Sequence, residues 1–111
     1  MAESFDRRLR EELEDLTVGV CRALSDPKRL MLLYALKDAP RSVGELADLL
    51  EVSQSNVSQH LGLLRDRGLV DTKRDANRII YTLRYPRVVK AIDLLRTIMN
   101  DELDRRQAIR A

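Results

Sequence analysis

SVGELADLL (Ser42–Leu50), EVS (Glu51–Ser53), QSNVSQHLGLLRDRG (Gln54–Gly68) and LVDTKRDANRIIYTL (Leu69–Leu83) follow one another without a break, and their reading decides the fold. Ser42 and Glu45 have the S-x-x-E spacing of a capping box, in which each side chain satisfies a backbone N–H at a helix start. Behind that cap Val43, Leu46, Ala47 and Leu50 recur at helical spacing and face inward. Three residues further on, Ser53 caps another helix, and Val52 before it can staple onto Val57. Gly68 closes that helix, as glycine commonly does. Leu69–Arg74 and Arg78–Leu83 are strand-like and meet around Asp75-Ala76-Asn77, with Asn77 expected to take the left-handed conformation of the tip. Helix, tight turn, helix and basic two-stranded ribbon is the layout of a winged helix-turn-helix, which puts double-stranded DNA first among partners.

Upstream, Ser4 is expected to cap a first helix reaching about Ala23, with Phe5, Leu9, Leu13, Leu16 and Val20 on one stripe. Ser25-Asp26-Pro27 restarts the chain, because proline suits the first helical position after a cap. The helix that follows carries Leu30, Met31, Leu33, Tyr34 and Leu36 over much of its circumference and is expected at the centre of the core. Downstream, Pro86 opens a last helix with Val88, Ile92, Leu95, Met99 and Leu103 on one stripe. The predicted class is therefore mainly α with a small β-ribbon: about five helices and a two-stranded antiparallel wing.

Residues 1–111 read as one domain, with no repeat, low-complexity tract or linker. Segments 1–24 and 86–108 supply the terminal helices, 42–68 the helix-turn-helix and 69–84 the wing. Both terminal stripes are wider than so small a core covers. Leftover apolar surface on a small domain usually finds another chain, so a homodimer through these two helices is expected; the bland alternative is burial of both within one chain.

The polar face of the fourth helix supplies the chemistry. Gln54, Ser55, Ser58, Gln59 and Arg65 point outward, with Asn56 and His60 at the boundary. Short hydroxyl and amide side chains both donate and accept, which matches the base-edge code of the major groove. Helix starts offer free N–H groups to a phosphate, which adds Ser42 and Ser53. Lys73, Arg74 and Arg78 flank the ribbon tip, where a narrow cationic hairpin fits a minor groove or its phosphate rim. A polar helix face can be merely solvated and a charged ribbon merely protected against aggregation; the combination in one continuous run favours DNA.

Composition sets wider bounds. Net charge is only +2, with 44% apolar and 34% charged residues and no tryptophan, so the core must be aliphatic. The first 24 residues are acidic and the stretch from Arg65 to Arg78 is basic, a local footprint for phosphate contacts. The single cysteine, Cys21, allows no internal disulfide. No apolar run approaches the roughly 20 residues of a membrane span, and the charged N-terminus is unlike a signal peptide, so a cytoplasmic location is expected.

ALSDPKRLMLL (Ala23–Leu33), SVGELADLL, SQSNVSQHLGLLRDRGLV and IIYTL together resemble the arsenic-repressor (ArsR/SmtB) family of bacterial repressors, over about Cys21 to Leu95. The resemblance implies a homodimer through the terminal helices that represses a pseudo-palindromic operator until a small inducer binds. It also implies DNA contacts from Gln54, Ser55, Asn56, Ser58, Gln59, His60 and the wing. Glu51 in the turn and Ala76-Asn77 at the wing tip stand where glycine is more usual. The family's sensor motifs are missing from the expected places. VGELADLL lacks the C-x-C pair of arsenic, cadmium and lead sensors, and the last helix lacks the histidines of zinc, cobalt and nickel sensors. The wording SVGEL…SQS…SQHL also resembles a branch that senses persulfides through two cysteines; the first of those positions is Tyr34 here, and the last helix has no cysteine. With one His and one Cys, no transition-metal site and no cofactor are expected.

Cys21 is expected to fill a small apolar junction. Across a dimer, two copies could instead form a thiol pair open to a redox or metalloid inducer. His60 has no catalytic or metal-binding partner on its helix and is expected to bond DNA or the helix packing. Asp93, Asp101, Glu102 and Asp104, mixed with arginines, read as a solvated face. No nucleophile–base pair or phosphate-cradling loop appears, so an enzyme is not expected. Two rivals remain: a winged helix that binds protein, and a constitutive DNA-binding protein without an inducer.

Overall fold

The structure, a computed structural model, describes residues 3–110. It contains α1 (Arg7–Leu16), a π-helical turn (Thr17–Cys21), α2 (Pro27–Asp38), β1 (Arg41–Ser42), α3 (Val43–Leu50), α4 (Gln54–Asp66), β2 (Val70–Asp75), β3 (Arg78–Leu83) and α5 (Arg87–Arg110). The winged helix-turn-helix is present as read. Its sheet has three strands rather than two, in the order β1-β3-β2. Arg41 and Ser42 pair antiparallel with Tyr81 and Ile80, while β2 and β3 form the hairpin from Val70↔Leu83 to Asp75↔Arg78.

The core is aliphatic. Leu32, Leu33 and Leu36 of α2 meet Leu46 and Ala47 of α3, Val57, Leu61 and Leu64 of α4, and Leu69 and Val70 entering the wing. Burying each such side chain contributes about 1.5–3 kcal/mol. Met31, expected among them, is exposed, so α2 is buried on one broad face and open on the other.

The first helix differs from its expectation at both ends. Asp6, not Ser4, is the cap: its carboxylate accepts from the Leu9 N–H at 2.7 Å. The α-helix also stops at Leu16, where the Thr17 hydroxyl donates back to the Leu13 carbonyl at 2.8 Å. Such back-bonding bends helices, and β-branched Thr17, Val18 and Val20 around Gly19 weaken the α pattern further. The wider turn carries Val20 inward, where it packs against the core. Cys21 lies exposed on this turn, outside any apolar junction.

The stripe of α5 is divided as well. Val88 (9% exposed) and Ile92 (4%), expected in a dimer interface, are part of this chain's own core together with Val89. Beyond them Leu94, Leu95, Ile98, Met99 and Leu103 are exposed, as are Phe5, Leu9, Leu13 and Leu16 at the other terminus. Both tight turns use left-handed non-glycine residues: Glu51 (φ 56°) after α3 and Ala76 (φ 55°) at the wing tip. The tip residue with positive φ is thus Ala76, not Asn77.

Candidate nucleic-acid interface

Two caps start α3 and α4, and residues from both starts line one groove. At α3 the capping box is complete: the Ser42 hydroxyl accepts from the Glu45 N–H at 3.2 Å, and Glu45 Oε1 accepts from the Ser42 N–H at 3.2 Å and its hydroxyl at 3.0 Å. These bonds hold the Glu45 carboxyl below its usual range, against the opposing effect of desolvation, with Arg78 and Arg41 adding smaller contributions. At α4 the Ser53 hydroxyl accepts from the Asn56 N–H at 3.0 Å. Between the helices, left-handed Glu51 lets the Val52 N–H reach the Ala47 carbonyl at 3.1 Å.

The face of α4 separates cleanly. Val57, Leu61 and Leu64 are buried, while Ser53, Gln54, Ser55, Ser58, Gln59 and Arg65 are exposed along the opposite side. Asn56 is half-buried, and its Oδ1 is a buried acceptor without a partner among the described residues. Lys73 and Arg74 stand exposed on β2 with no carboxylate in ion-pair reach among those residues. Arg78 approaches Glu45 Oε1 at 3.5 Å, so the wing tip leans on the α3 cap. Beside it lies an open groove of about 350 Å³ lined by Ser42, Val43, Gly44, Gln54, Asn77 and Arg78, among others. Gly44 was not singled out from sequence, and Asn77 was read there only as a turn residue, not as a site residue. The readable signal was the capping box, which places Gly44 in the first turn of α3.

Two of the expected residues are engaged within the chain, His60 in the helix packing that was one of its two expected roles. Ser42 is buried (7% exposed) and its hydroxyl is used up within the cap, leaving nothing to offer a partner. His60 turns inward: its side chain is 17% exposed, with Nδ1 3.2 Å from Arg29 Nη1 and Nε2 4.0 Å from Asp26 Oδ1. A boundary position on a helical wheel can fall to either side, and the start of α2 decides this one.

Residues 26–72 match the family model described as bacterial regulatory protein, arsR family. The transcriptional activator HlyU of Vibrio cholerae is 45% identical over 78 residues, covering 70% of this chain and 72% of that protein. The chain belongs to the arsR family of bacterial regulatory proteins. Two solved structures agree. The transcriptional repressor BigR from Xylella fastidiosa superposes with a TM-score of 0.70 at 34% identity, covering 85% of this chain and 96% of that one. A homodimeric winged helix-turn-helix DNA-binding domain from Mycobacterium bovis superposes with a TM-score of 0.75 at 27% identity, covering 95% of each. This arsR-family protein is a winged-helix transcriptional regulator. The family's metal sites do not fit its residues: α3 reads VGELADLL, and among the described residues no three His, Cys, Asp or Glu side chains gather around one point.

Tyr34, read from the sequence in the place of a sensor cysteine, makes a different bond. The Tyr34 hydroxyl of α2 donates to Asp93 Oδ1 of α5, and Arg96 Nη1 reaches the same oxygen at 3.2 Å while its guanidinium lies 5.5 Å from the Tyr34 ring centre. The Tyr34 bond, with Arg96 beside it, holds the Asp93 carboxyl below its usual range despite desolvation. Burial and the Asp93 carboxylate push the Tyr34 hydroxyl up. Glu102 is occupied likewise, accepting from Arg105 at 2.7 Å and Arg106 at 3.1 Å.

Proposed function

We propose that this regulator is a cytoplasmic homodimeric repressor that reads a pseudo-palindromic operator with two copies of α4, without a metal bound at the sites its relatives use. The carrying observation is the exposed row Gln54, Ser55, Ser58 and Gln59 just behind the Ser53 cap, in the same domain as the free wing cations Lys73 and Arg74. Gln54 and Gln59 read base edges; Ser53, Ser55 and the α4 N-terminus hold phosphates; the wing cations follow the flanking groove. Arg65 and Arg78 add charge at the two ends of that face. The single domain divides into dimerising segments 1–24 and 86–108, a reading unit 42–68 and a wing 69–84. Repression is the sign carried by BigR and activation the sign carried by HlyU; an operator overlapping a promoter makes the bound dimer a repressor.

The test is fluorescence anisotropy with a duplex from upstream of the protein's own gene, against a scrambled duplex, at two salt concentrations. Tight binding to the native duplex alone supports the reading. Gln59→Ala should cost about 1–3 kcal/mol and relax specificity at one position of each half-site, whereas Lys73→Ala or Arg74→Ala should weaken all duplexes alike and lower the salt slope by about one. Salt-independent binding, or none to any duplex, favours a protein-binding winged helix instead. A second reading concerns the effector. Exposure of Cys21 favours a thiol pair across the dimer; an oxidant response unchanged in Cys21→Ala rejects it and leaves a constitutive repressor.

A further inference from the structure

His60 is the chain's single histidine, and the structure fixes its chemistry through its neighbours. A guanidinium carries donors only, so Nδ1 at 3.2 Å from Arg29 Nη1 must be an unprotonated acceptor. The ring proton then sits on Nε2, which faces Asp26 Oδ1. Both partners are anchored. Arg29 Nε donates to the Ala23 carbonyl at 2.6 Å and Nη2 to the Arg22 carbonyl at 3.1 Å, while Asp26 caps α2 by accepting from the Lys28 N–H at 2.8 Å and the Arg29 N–H at 3.3 Å. One guanidinium thus ties the end of the first helical segment to the base-reading helix, and His60 follows Gln59 directly.

We propose that His60 is a positioning residue: its neutral imidazole docks α4 on Arg29, and a proton on Nδ1 releases α4 and weakens DNA binding. The proposal rests on the DNA-reading function proposed above. Its sign follows from the donors. A protonated ring turns Nδ1–H toward Arg29, so donor meets donor and cation meets cation at hydrogen-bond distance, whereas Nε2–H toward Asp26 survives. The charged groups placed around the ring are Asp26 and Arg29 from α2; the Arg22 side chain across the junction is exposed, and along α4 no charged residue precedes Arg65. The DNA-competent arrangement needs the neutral ring as acceptor for Arg29, so affinity falls when the ring takes up a second proton. A histidine touching DNA predicts the opposite, because a new cation beside phosphate tightens binding and steepens its salt dependence.

The experiment measures anisotropy of the native duplex from pH 8 to pH 5.5 at constant ionic strength, for the wild type and His60→Gln. Glutamine keeps an acceptor for Arg29 and does not titrate. The wild type should weaken by about tenfold, the scale of one hydrogen bond to a charged group, while His60→Gln stays nearly flat. Equal profiles overturn the proposal, as does wild-type binding that tightens on acidification. A second readout needs no DNA: imidazole nitrogen shifts of the free protein at pH 8 should show the proton on Nε2, and a proton on Nδ1 overturns the joint. Absence of binding at every pH overturns the proposed function and the proposal with it; binding without a pH difference overturns the proposal alone.

Discussion

At the scale of single residues, chemistry is set by what a side chain faces rather than by its type. Tyr34 and Asp93 illustrate this. A position that resembles a thiol sensor carries instead a phenol bonded to a carboxylate, with Arg96 completing the contact between α2 and α5. The folded-state pKa of Asp93 is depressed, chiefly by the Tyr34 hydroxyl. A depressed carboxylate contributes stability that is present above its unfolded value and is lost as pH falls through the lower folded value. Melting followed by circular dichroism should therefore show the midpoint dropping as pH falls below about 4, the ordinary aspartate range. Tyr34→Phe should lower the midpoint at neutral pH and make that acid drop shallower, since the group that depresses Asp93 is gone. An unchanged acid dependence in Tyr34→Phe would remove this bond from the stability of the fold.

At the scale of elements, most boundaries were legible because local rules and tertiary packing agree. The capping box at Ser42–Glu45, the cap at Ser53, the Pro27 restart and the Gly68 stop all lie where the sequence places them. The misses share a cause: options of similar free energy that no local pattern separates. Ser4 and Asp6 are both good caps. Asn77 tolerates positive φ better than Ala76, yet the pairing Asp75↔Arg78 sets the strain on Ala76. A strand of two residues, Arg41–Ser42, carries no periodicity and exists only because β3 lies beside it. Of the candidate site, the exposure of the α4 row was legible from the helical period; for His60 the sequence left DNA and helix packing open, and its contacts with Arg29 and Asp26 realise the packing alternative. These elements can be pushed in opposite directions. Ser42→Ala removes the box and should destabilise by about 1 kcal/mol. Glu51→Gly should stabilise by up to about 1 kcal/mol, because a left-handed residue with a Cβ costs roughly 1–2 kcal/mol and glycine gives part of that back as lost chain entropy. Urea midpoints with unchanged slope check both, and a destabilised Glu51→Gly would mean that its side chain contributes more than its backbone costs.

At the scale of the molecule, the chain's shape argues for a second copy. Its radius of gyration is 17.7 Å and its extents are 62 × 44 × 21 Å. A compact chain of this length has a radius near 13 Å, so the terminal helices stand away from the core. α1 has no buried residue, and α5 leaves the core after Ile92 with Leu94, Leu95, Ile98, Met99 and Leu103 in the open. Isolated helices shorter than about 12–15 residues are marginal in water, and α1 has only 10 residues, so packing must stabilise it. Because Val88 and Ile92 serve the core, the interface predicted here begins at Leu95. A double substitution Leu95→Glu, Met99→Glu should therefore yield a folded monomer by analytical ultracentrifugation. The wild type should sediment as a dimer whose melting midpoint rises with concentration. The same variant links assembly to reading. A dimer engages two half-sites about one helical turn apart, roughly 34–36 Å, and a monomer engages one. The monomeric variant should bind a full operator and a half-operator equally weakly, while the wild type should strongly prefer the full one. A wild type without that preference would mean that α4 reads DNA alone, and that the exposed helices serve another partner.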